Sequence, residues 1–122
     1  MDKILTAVLI GAGNRGKKYT DVMARIPDKY KVIAVAEPLE SRRNIIQRTH
    51  NIPDEMCFTD WTDLFALGKI ADIAVISTMD QQHFDPTMAA ISLKYDILLE
   101  KPVSPDPVEC EKLARHAKKE GV

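Results

Sequence analysis

Three glycines stand directly after the first apolar run of the chain and constrain its fold more than any other feature. The run covers Ile4 to Ile10, and the glycines follow it in the spacing Gly11-x-Gly13-x-x-Gly16. A run of that length suits a buried strand, and the amphipathic segment after it suits a helix. A glycine-rich turn between a strand and a helix is typical of domains that hold a phosphate group.

Apolar runs and amphipathic segments alternate along the whole chain. The strand-like runs occupy residues 4–10, 32–36, 56–58, 73–76 and 97–99, of which 56–58 is the weakest. The helix-like segments occupy residues 17–25, 40–49, 61–67 and 86–93, and a last one runs from after Asp106 to Lys119. Such alternation predicts an α/β fold with a parallel sheet, right-handed crossovers and helices on both faces. We therefore expect residues 1–122 to form one three-layer, doubly wound domain of Rossmann type, with its ligand crevice at the carboxyl ends of the strands.

The composition excludes several classes of protein. A chain of 122 residues that is 45% hydrophobic, with a formal net charge of -1, has the balance of one ordinary domain and lacks the basic excess of a nucleic-acid binder. The run at 4–10 is too short to span a membrane and has no small-residue cleavage site after it, so we expect a cytoplasmic protein without a membrane partner. Cys57 and Cys110 have neither CxxC nor Cys/His spacing, and we predict no disulfide framework and no metal site.

The glycine-rich turn has the residues that phosphate binding requires. Gly11 permits a tight turn, Gly13 lets the backbone approach a pyrophosphate, and Gly16 lets the helix pack close to the strand. Free amides of this turn, which also contains Asn14 and Arg15, and the positive end of the helix would then bind the anion. The same glycines would also suit a strand-to-helix turn that binds nothing, so the motif needs support from other residues.

An acidic residue supplies that support. Glu37 closes the second strand-like run about twenty residues after the last glycine, where a carboxylate can accept hydrogen bonds from the hydroxyls of an adenosine ribose. Its charge would repel a ribose phosphate, so we expect NAD as the cofactor in preference to NADP. Arg42 and Arg43 follow shortly after and could approach such a phosphate, but solvated positions on a helix are the simpler interpretation.

Two further motifs follow the fourth strand-like run and the fifth. The first reads Val75-Ile76-Ser77-Thr78-Met79-Asp80-Gln81-Gln82-His83, and the second reads Leu99-Glu100-Lys101-Pro102. Together with the glycine motif, this combination resembles the Gfo/Idh/MocA oxidoreductases over the whole chain. The resemblance implies a cofactor site that includes Ser77, Thr78, Met79, His83, Glu100 and Lys101 besides the residues named above.

The resemblance also implies a catalytic role for Lys101. In the family, the lysine of Glu-Lys-Pro lies beside the nicotinamide and the substrate hydroxyl. An ammonium group there can hydrogen-bond to the reacting oxygen and relay a proton during hydride transfer. A lysine before a proline is, by itself, more often an exposed turn residue. Family members commonly have Thr-Pro-Asn where this chain has Thr78-Met79-Asp80, so this chain departs from the family pattern at Met79 and Asp80. His83 matches the family histidine, but a histidine at this position is also compatible with a helix cap or a packing residue.

These expectations converge on an NAD-dependent dehydrogenase of a sugar, polyol or related hydroxy compound. Family members are longer and carry an open-faced sheet domain that binds the substrate, so we expect this chain to be the cofactor-binding part of a two-domain enzyme. An NAD-dependent glycosidase of the same family and a non-catalytic dinucleotide-binding sensor stay open as alternatives. The resemblance implies a homo-oligomer assembled through the second domain, and a sheet edge left bare without that domain would favour self-association.

Overall fold

The computed structural model describes residues 4–12, 14–77, 84–99 and 115–121 of the chain. In these ranges the strands are β1 (Leu5–Ile10), β2 (Tyr30–Ala36), β3 (Cys57–Phe58), β4 (Ile73–Ile76) and β5 (Asp96–Leu99). The helices are α1 (Asn14–Ala24), α2 (Glu40–His50), α3 (Trp61–Phe65) and α4 (Phe84–Ser92). A 3-10 turn covers Asp54–Met56, and residues 115–120 are helical.

The strands run parallel in one sheet of order β3-β2-β1-β4-β5. β1 lies at the centre, and the chain winds from it first toward β3 and then, in the opposite direction, toward β5. This order confirms the predicted doubly wound fold of Rossmann type. Each predicted strand is present in the sheet, including the weak one, which is reduced to Cys57–Phe58.

The core is divided between the two faces of the sheet. Leu9 of β1 packs on one face in a cluster with Met23 of α1 and Ile46 of α2. Ile10 of the same strand packs on the other face in a cluster with Leu64 of α3 and with residues of α4. Because helices cover both faces, the central strands are apolar without alternation, which is why continuous apolar runs marked them in the sequence.

Helix boundaries differ from the predicted ones by a turn or less. α1 begins at Asn14 rather than at residue 17, because its first turn is polar and carries no apolar periodicity. α4 begins at Phe84 rather than at residue 86. Of the last predicted helix, residues 115–120 are helical, and its earlier part lies outside the described residues.

The register of the sheet brings the ends of β1, β2 and β4 to one level. Ile10 pairs with Ala36 of β2 on one side and with Ile76 of β4 on the other. In open α/β sheets, ligands bind at the carboxyl edge, where the two directions of winding diverge. The residues that come directly after these strand ends lie side by side at that edge, and they are Gly11, Glu37 and Ser77.

Across the described ranges, no helix is both long and apolar enough to cross a lipid bilayer. The cytoplasmic location stays a prediction. Cys57 is a half-buried free thiol, and Cys110 lies outside the described residues. Among the side chains that the structure describes, no three His, Cys, Asp or Glu residues cluster as metal ligands would.

Candidate functional site

The turn after β1 begins at a residue whose backbone conformation favours glycine. Gly11 has a φ of 84°, and its amide donates a 2.8 Å hydrogen bond to the carbonyl oxygen of Ala36. An L side chain at this φ is strained because its Cβ approaches the backbone carbonyl too closely. Gly11 therefore extends the pairing of β1 with β2 by one residue and then turns the chain over the carboxyl edge.

Glu37 holds this turn with its carboxylate. The residue is only 5% exposed, and its Oε1 accepts a 2.8 Å hydrogen bond from the amide of Ala12. Its Oε2 accepts a 2.9 Å hydrogen bond from the amide of Leu39. These two contacts offset the loss of water around the buried charge. A carboxylate offers about four lone-pair sites, so these two bonds do not exhaust its capacity to accept hydrogen bonds.

Ser77 ties the end of β4 to the same turn. Its amide donates a 2.8 Å hydrogen bond to the carbonyl oxygen of Ile10. Its hydroxyl donates a short hydrogen bond to the carbonyl oxygen of Gly11. The two walls of the crevice, after β1 and after β4, are thus joined by the backbone and by a side chain.

The amides of Gly11 and Ala12 are both occupied, although the motif had suggested that the turn offers free amides. An anion must therefore find its donors from residue 13 onward. α1 begins at Asn14, and the first amides of a helix have no carbonyl partner within it. Gly16 lies in this first turn, at the positive end of a helix of 11 residues.

Several candidate residues lie outside the described part of the chain. This is true of Gly13 and of the side chains of Asn14 and Arg15. It is also true of the residues that the family resemblance placed after Ser77, which are Thr78, Met79, His83, Glu100 and Lys101. Their roles stay predictions.

Arg43 does not have the solvated position expected for it, whereas Arg42 is exposed as expected. The half-buried Arg43 side chain donates a 2.7 Å hydrogen bond from Nη1 to the carbonyl oxygen of Glu37. Side chains on a helix lean toward its N-terminus, and Arg43 lies in the first turn of α2, so its guanidinium reaches back to the end of β2. This lean is a general property of helices and directs the Arg43 side chain toward the start of α2, but the contact itself depends on where the fold places the Glu37 carbonyl.

A comparison with protein families decides which group of proteins carries this arrangement. The family model of the Gfo/Idh/MocA proteins, described as an oxidoreductase family with an NAD-binding Rossmann fold, matches residues 5–122. The chain belongs to the Gfo/Idh/MocA family. The resemblance seen in the glycine turn, the Ser77 to His83 segment and the Glu-Lys-Pro sequence is thereby confirmed, and residues 5–122 are an NAD-binding Rossmann domain of this oxidoreductase family.

Solved structures share the fold of this Gfo/Idh/MocA domain at low sequence identity. The WlbA dehydrogenase from Bordetella pertussis, in complex with NADH and UDP-GlcNAcA, has a TM-score of 0.86 at 18% identity, over 100% of this chain and 35% of that one. The myo-inositol 2-dehydrogenase from Lactobacillus plantarum has a TM-score of 0.85 at 20% identity, over 97% of this chain and 34% of that one. Biliverdin reductase from Synechocystis, in complex with biliverdin and NADP+, has a TM-score of 0.84 at 19% identity, over 96% of this chain and 35% of that one. No curated protein matches the sequence.

The Gfo/Idh/MocA chain described here spans about a third of the length of these solved relatives. At identities of 18–20% the likeness establishes the shared fold. One of the relatives holds NADH and another holds NADP+, so this fold accommodates either cofactor.

Proposed function

We propose that this chain binds NAD at the carboxyl edge of its sheet and is the cofactor-binding domain of a dehydrogenase. The observation that carries the proposal is the buried carboxylate of Glu37, which the amides of Ala12 and Leu39 hold at the end of β2. A carboxylate fixed there, next to a glycine turn and a helix N-terminus, is suited to recognise an adenosine ribose beside a diphosphate.

The described residues fit the adenosine half of the cofactor. Glu37 accepts hydrogen bonds from the ribose hydroxyls with the lone pairs that its two amide partners leave free. The first turn of α1 supplies amides and a positive helix end to the diphosphate. Ser77 fixes the carbonyl of Gly11 and so keeps the turn in position. When bound, the nicotinamide supplies the hydride acceptor of the reaction.

Glu37 also favours NAD over NADP. In NADP, a phosphate replaces one of the ribose hydroxyls from which the Glu37 carboxylate would accept a hydrogen bond. Binding of NADP therefore loses that hydrogen bond and brings two negative groups together at a buried position, where their repulsion is strongest. The preference for NAD therefore follows from one side chain.

Family membership and the Glu-Lys-Pro sequence assign the chemical step to Lys101 in this proposal. Its ammonium hydrogen-bonds to the substrate oxygen and relays the hydroxyl proton while the hydride moves between the neighbouring carbon and the cofactor. Thr78, Met79, His83 and Glu100 complete the cofactor side. Because the WlbA dehydrogenase holds UDP-GlcNAcA and the Lactobacillus enzyme is a myo-inositol dehydrogenase, we propose a sugar, polyol or related hydroxy compound as substrate.

Substrate selection belongs, in this proposal, to a second domain like the one that makes the solved relatives longer than this chain. The protein assembles as a homo-oligomer through that domain. Self-association of the 122-residue chain itself stays a prediction from the sequence. Light scattering over a concentration series tests it, and a strictly monomeric chain would contradict it.

Calorimetric titration of the chain with NAD and with NADP tests the cofactor assignment. We expect the unmodified chain to bind NAD more tightly, and Glu37→Ala to weaken NAD binding about tenfold and to narrow the difference between the cofactors. Glu37→Gln removes the charge but keeps a carbonyl acceptor. It should therefore relieve the repulsion of NADP and lose less NAD affinity than Glu37→Ala does. Glu40→Gln, an exposed acid at the start of α2, is the matched control and should change neither affinity. An equal or reversed preference in the unmodified chain overturns the assignment.

A substrate panel tests the reaction class, using a protein that includes the substrate domain. Incubation of this protein with NAD and a sugar or polyol should produce NADH. Lys101→Ala should abolish NADH formation while NAD still binds. Cleavage of aryl glycosides without net NADH would instead indicate a glycosidase. Binding of NAD without either activity would indicate a sensor.

A further inference from the structure

We propose that an apolar groove beside α1 is the surface on which the second domain docks, and that it receives one amphipathic helix of that domain. The groove has a volume of about 490 Å³ and is lined by α1 and by residues of β4 and β5. The inference rests on the proposed function, which supplies the second domain. The groove is separate from the candidate cofactor site, because Gly11, Glu37 and Ser77 do not line it.

The floor of the groove is one face of β4 and β5. Ile73 of β4 packs on the side of the sheet that α1 covers. Leu98 of β5 pairs with Val75, which faces that side, so Leu98 faces it as well. α4 covers the opposite side of these strands. On the side of Leu98 no helix lies over β5 within the described ranges, and Leu98 is 38% exposed.

The wall of the groove is a flank of α1. Tyr19 and Val22 lie one turn apart on this flank, and Ile26 follows just after the helix, so apolar side chains repeat there at helical spacing. Met23 is buried in the core between α1 and the sheet. Val22, in contrast, is 52% exposed. The apolar surface of α1 therefore extends beyond the part that the core uses, which indicates a second contact on the same helix.

The dimensions of the groove suit one helix. Neighbouring strands lie about 4.8 Å apart, so β4 and β5 offer a floor about 10 Å wide, close to the distance between packed helices. Parallel sheets are covered on both faces, and a helix beside α1 would complete this layer and bury Val22 and Leu98 together. A second copy of the chain suits the surface less well, because a two-fold contact would set one concave groove against another.

The second domain is the source that the solved relatives favour. This chain spans 35% of the WlbA dehydrogenase chain, so the greater part of that chain lies outside the matched domain. The charge at the groove defines the helix further. Lys18 and Arg25 are exposed and lie about one turn before and one turn after Val22, so the rim on α1 is positive. We expect the docking helix to carry carboxylates along the side that faces this rim.

Cysteine labelling tests whether the groove is covered. Val22→Cys should react with a maleimide about tenfold more slowly, or slower still, in a protein that includes the second domain than in the 122-residue chain. Leu67→Cys is the matched control, because Leu67 is 49% exposed and does not line the groove, and it should react equally fast in both proteins. Peptide mass spectrometry separates these positions from Cys57 and Cys110. Equal rates for Val22→Cys in the two proteins would overturn the proposal.

The labelling of the 122-residue chain distinguishes other occupants of the groove. Protection of Val22→Cys that disappears on dilution would identify a second copy, and protection at every concentration would identify another part of the same chain. Either result overturns the proposal. The calorimetric titration with NAD does not involve the groove, so a covered groove in a protein that binds no NAD would contradict the cofactor assignment and leave the docking surface in place.

Val22→Asp tests the contribution of the groove to stability. A carboxylate placed in an apolar contact should lower the melting temperature of the two-domain protein by about 3 °C or more. The 122-residue chain should be affected much less, because Val22 is exposed in it. Leu67→Asp is the control and should have similar effects in both proteins. Equal shifts for Val22→Asp in the two proteins would show that the second domain does not dock on this surface.

Discussion

The hydroxyl of Ser77 donates a hydrogen bond to the carbonyl oxygen of Gly11, so the residue that follows β4 holds the first residue of the turn after β1. The two residues lie 66 positions apart in the sequence. Their contact spans the point at which the two directions of winding diverge, where open α/β sheets bind their ligands. The segments after β1 and after β4 are therefore linked directly at this edge of the sheet.

Ser77→Ala should loosen this connection. Removal of the hydroxyl leaves the Gly11 carbonyl without that donor and should lower the free energy of unfolding by about 1 kcal/mol. Because the turn would be less fixed, NAD affinity should decrease as well. Urea unfolding and calorimetry measure the two effects. Ser77→Thr retains the hydroxyl and serves as the control, and unchanged stability in Ser77→Ala would contradict the role given to this bond.

Gly11→Ala should destabilise the chain and impair nucleotide binding together. The positive φ of 84° at Gly11 should cost about 1–2 kcal/mol for an L residue. Gly68 is a matched control, because it has a φ of 78° and no heavy atom within 4 Å of an added Cβ, and it lies away from the carboxyl edge. Gly68→Ala should lower the unfolding free energy by a similar amount but leave NAD affinity unchanged. Equal losses of NAD affinity in Gly11→Ala and Gly68→Ala would show that the conformation of Gly11 has no specific role in the binding site.

Stability should decrease at acidic pH because of His50. Its Nε2 is buried without a hydrogen-bond partner in the described part of the chain, and desolvation lowers the pKa of His50 below its ordinary 6.5, although Asp21 acts in the opposite direction. Below pH 6.5 the unfolded chain therefore takes up a proton more readily than the folded one. The contribution of neutral His50 to the free energy of unfolding is therefore complete above pH 6.5, and it is lost as the pH falls toward the pKa of His50 in the folded chain.

Urea unfolding at about pH 7.5 and about pH 5.5 measures this dependence. His50→Gln should show a smaller decrease between the two pH values than the unmodified chain. His116→Gln, which alters a histidine that contacts Ser92 on the other side of the sheet, is the control. Identical pH dependence in the unmodified chain and in His50→Gln would exclude His50 as the cause.

Tyr95→Phe should destabilise the fold without affecting the candidate site. Tyr95 is fully buried, and its hydroxyl accepts a 3.0 Å hydrogen bond from the amide of Ile70 and donates a 3.3 Å bond to the carbonyl of Gly68. The variant removes the partner of these two half-buried backbone groups, which should cost about 1 kcal/mol. Tyr19→Phe, whose hydroxyl has no hydrogen bond among the described residues, should have a much smaller effect. Thermal unfolding followed by circular dichroism compares the two.

The sequence was most informative about the sheet. Continuous apolar runs marked β1, β2 and β4 because helices cover both faces of the central sheet, and a shorter run marked the edge strand β5. The alternation with helical segments predicted the winding. β3 is only Cys57–Phe58, and its existence depends on pairing with Val35 and Ala36 rather than on its own composition. Helix starts were less predictable, because the first turn of α1 carries polar residues.

The candidate site was predictable in its residues but not in their contacts. Gly11, Glu37 and Ser77 were all named from the sequence, and they lie together at one edge. That Glu37 would already accept the amide of Ala12 was not apparent, since the bond joins residues 25 positions apart and depends on the register between β1 and β2. The inward position of Arg43 likewise depends on the tertiary location of the Glu37 carbonyl.

The central position of β1 has a consequence for how this protein can be studied. Because β1 is hydrogen-bonded on both sides and the candidate site is built from segments on each side of it, the arrangement of Gly11, Glu37 and Ser77 requires the folded sheet. A compound that binds at this site should therefore favour the native state and raise the melting temperature by mass action. A simple heat-denaturation scan in the presence of candidate nucleotides is therefore a complete screening assay, which needs neither a substrate nor a turnover signal.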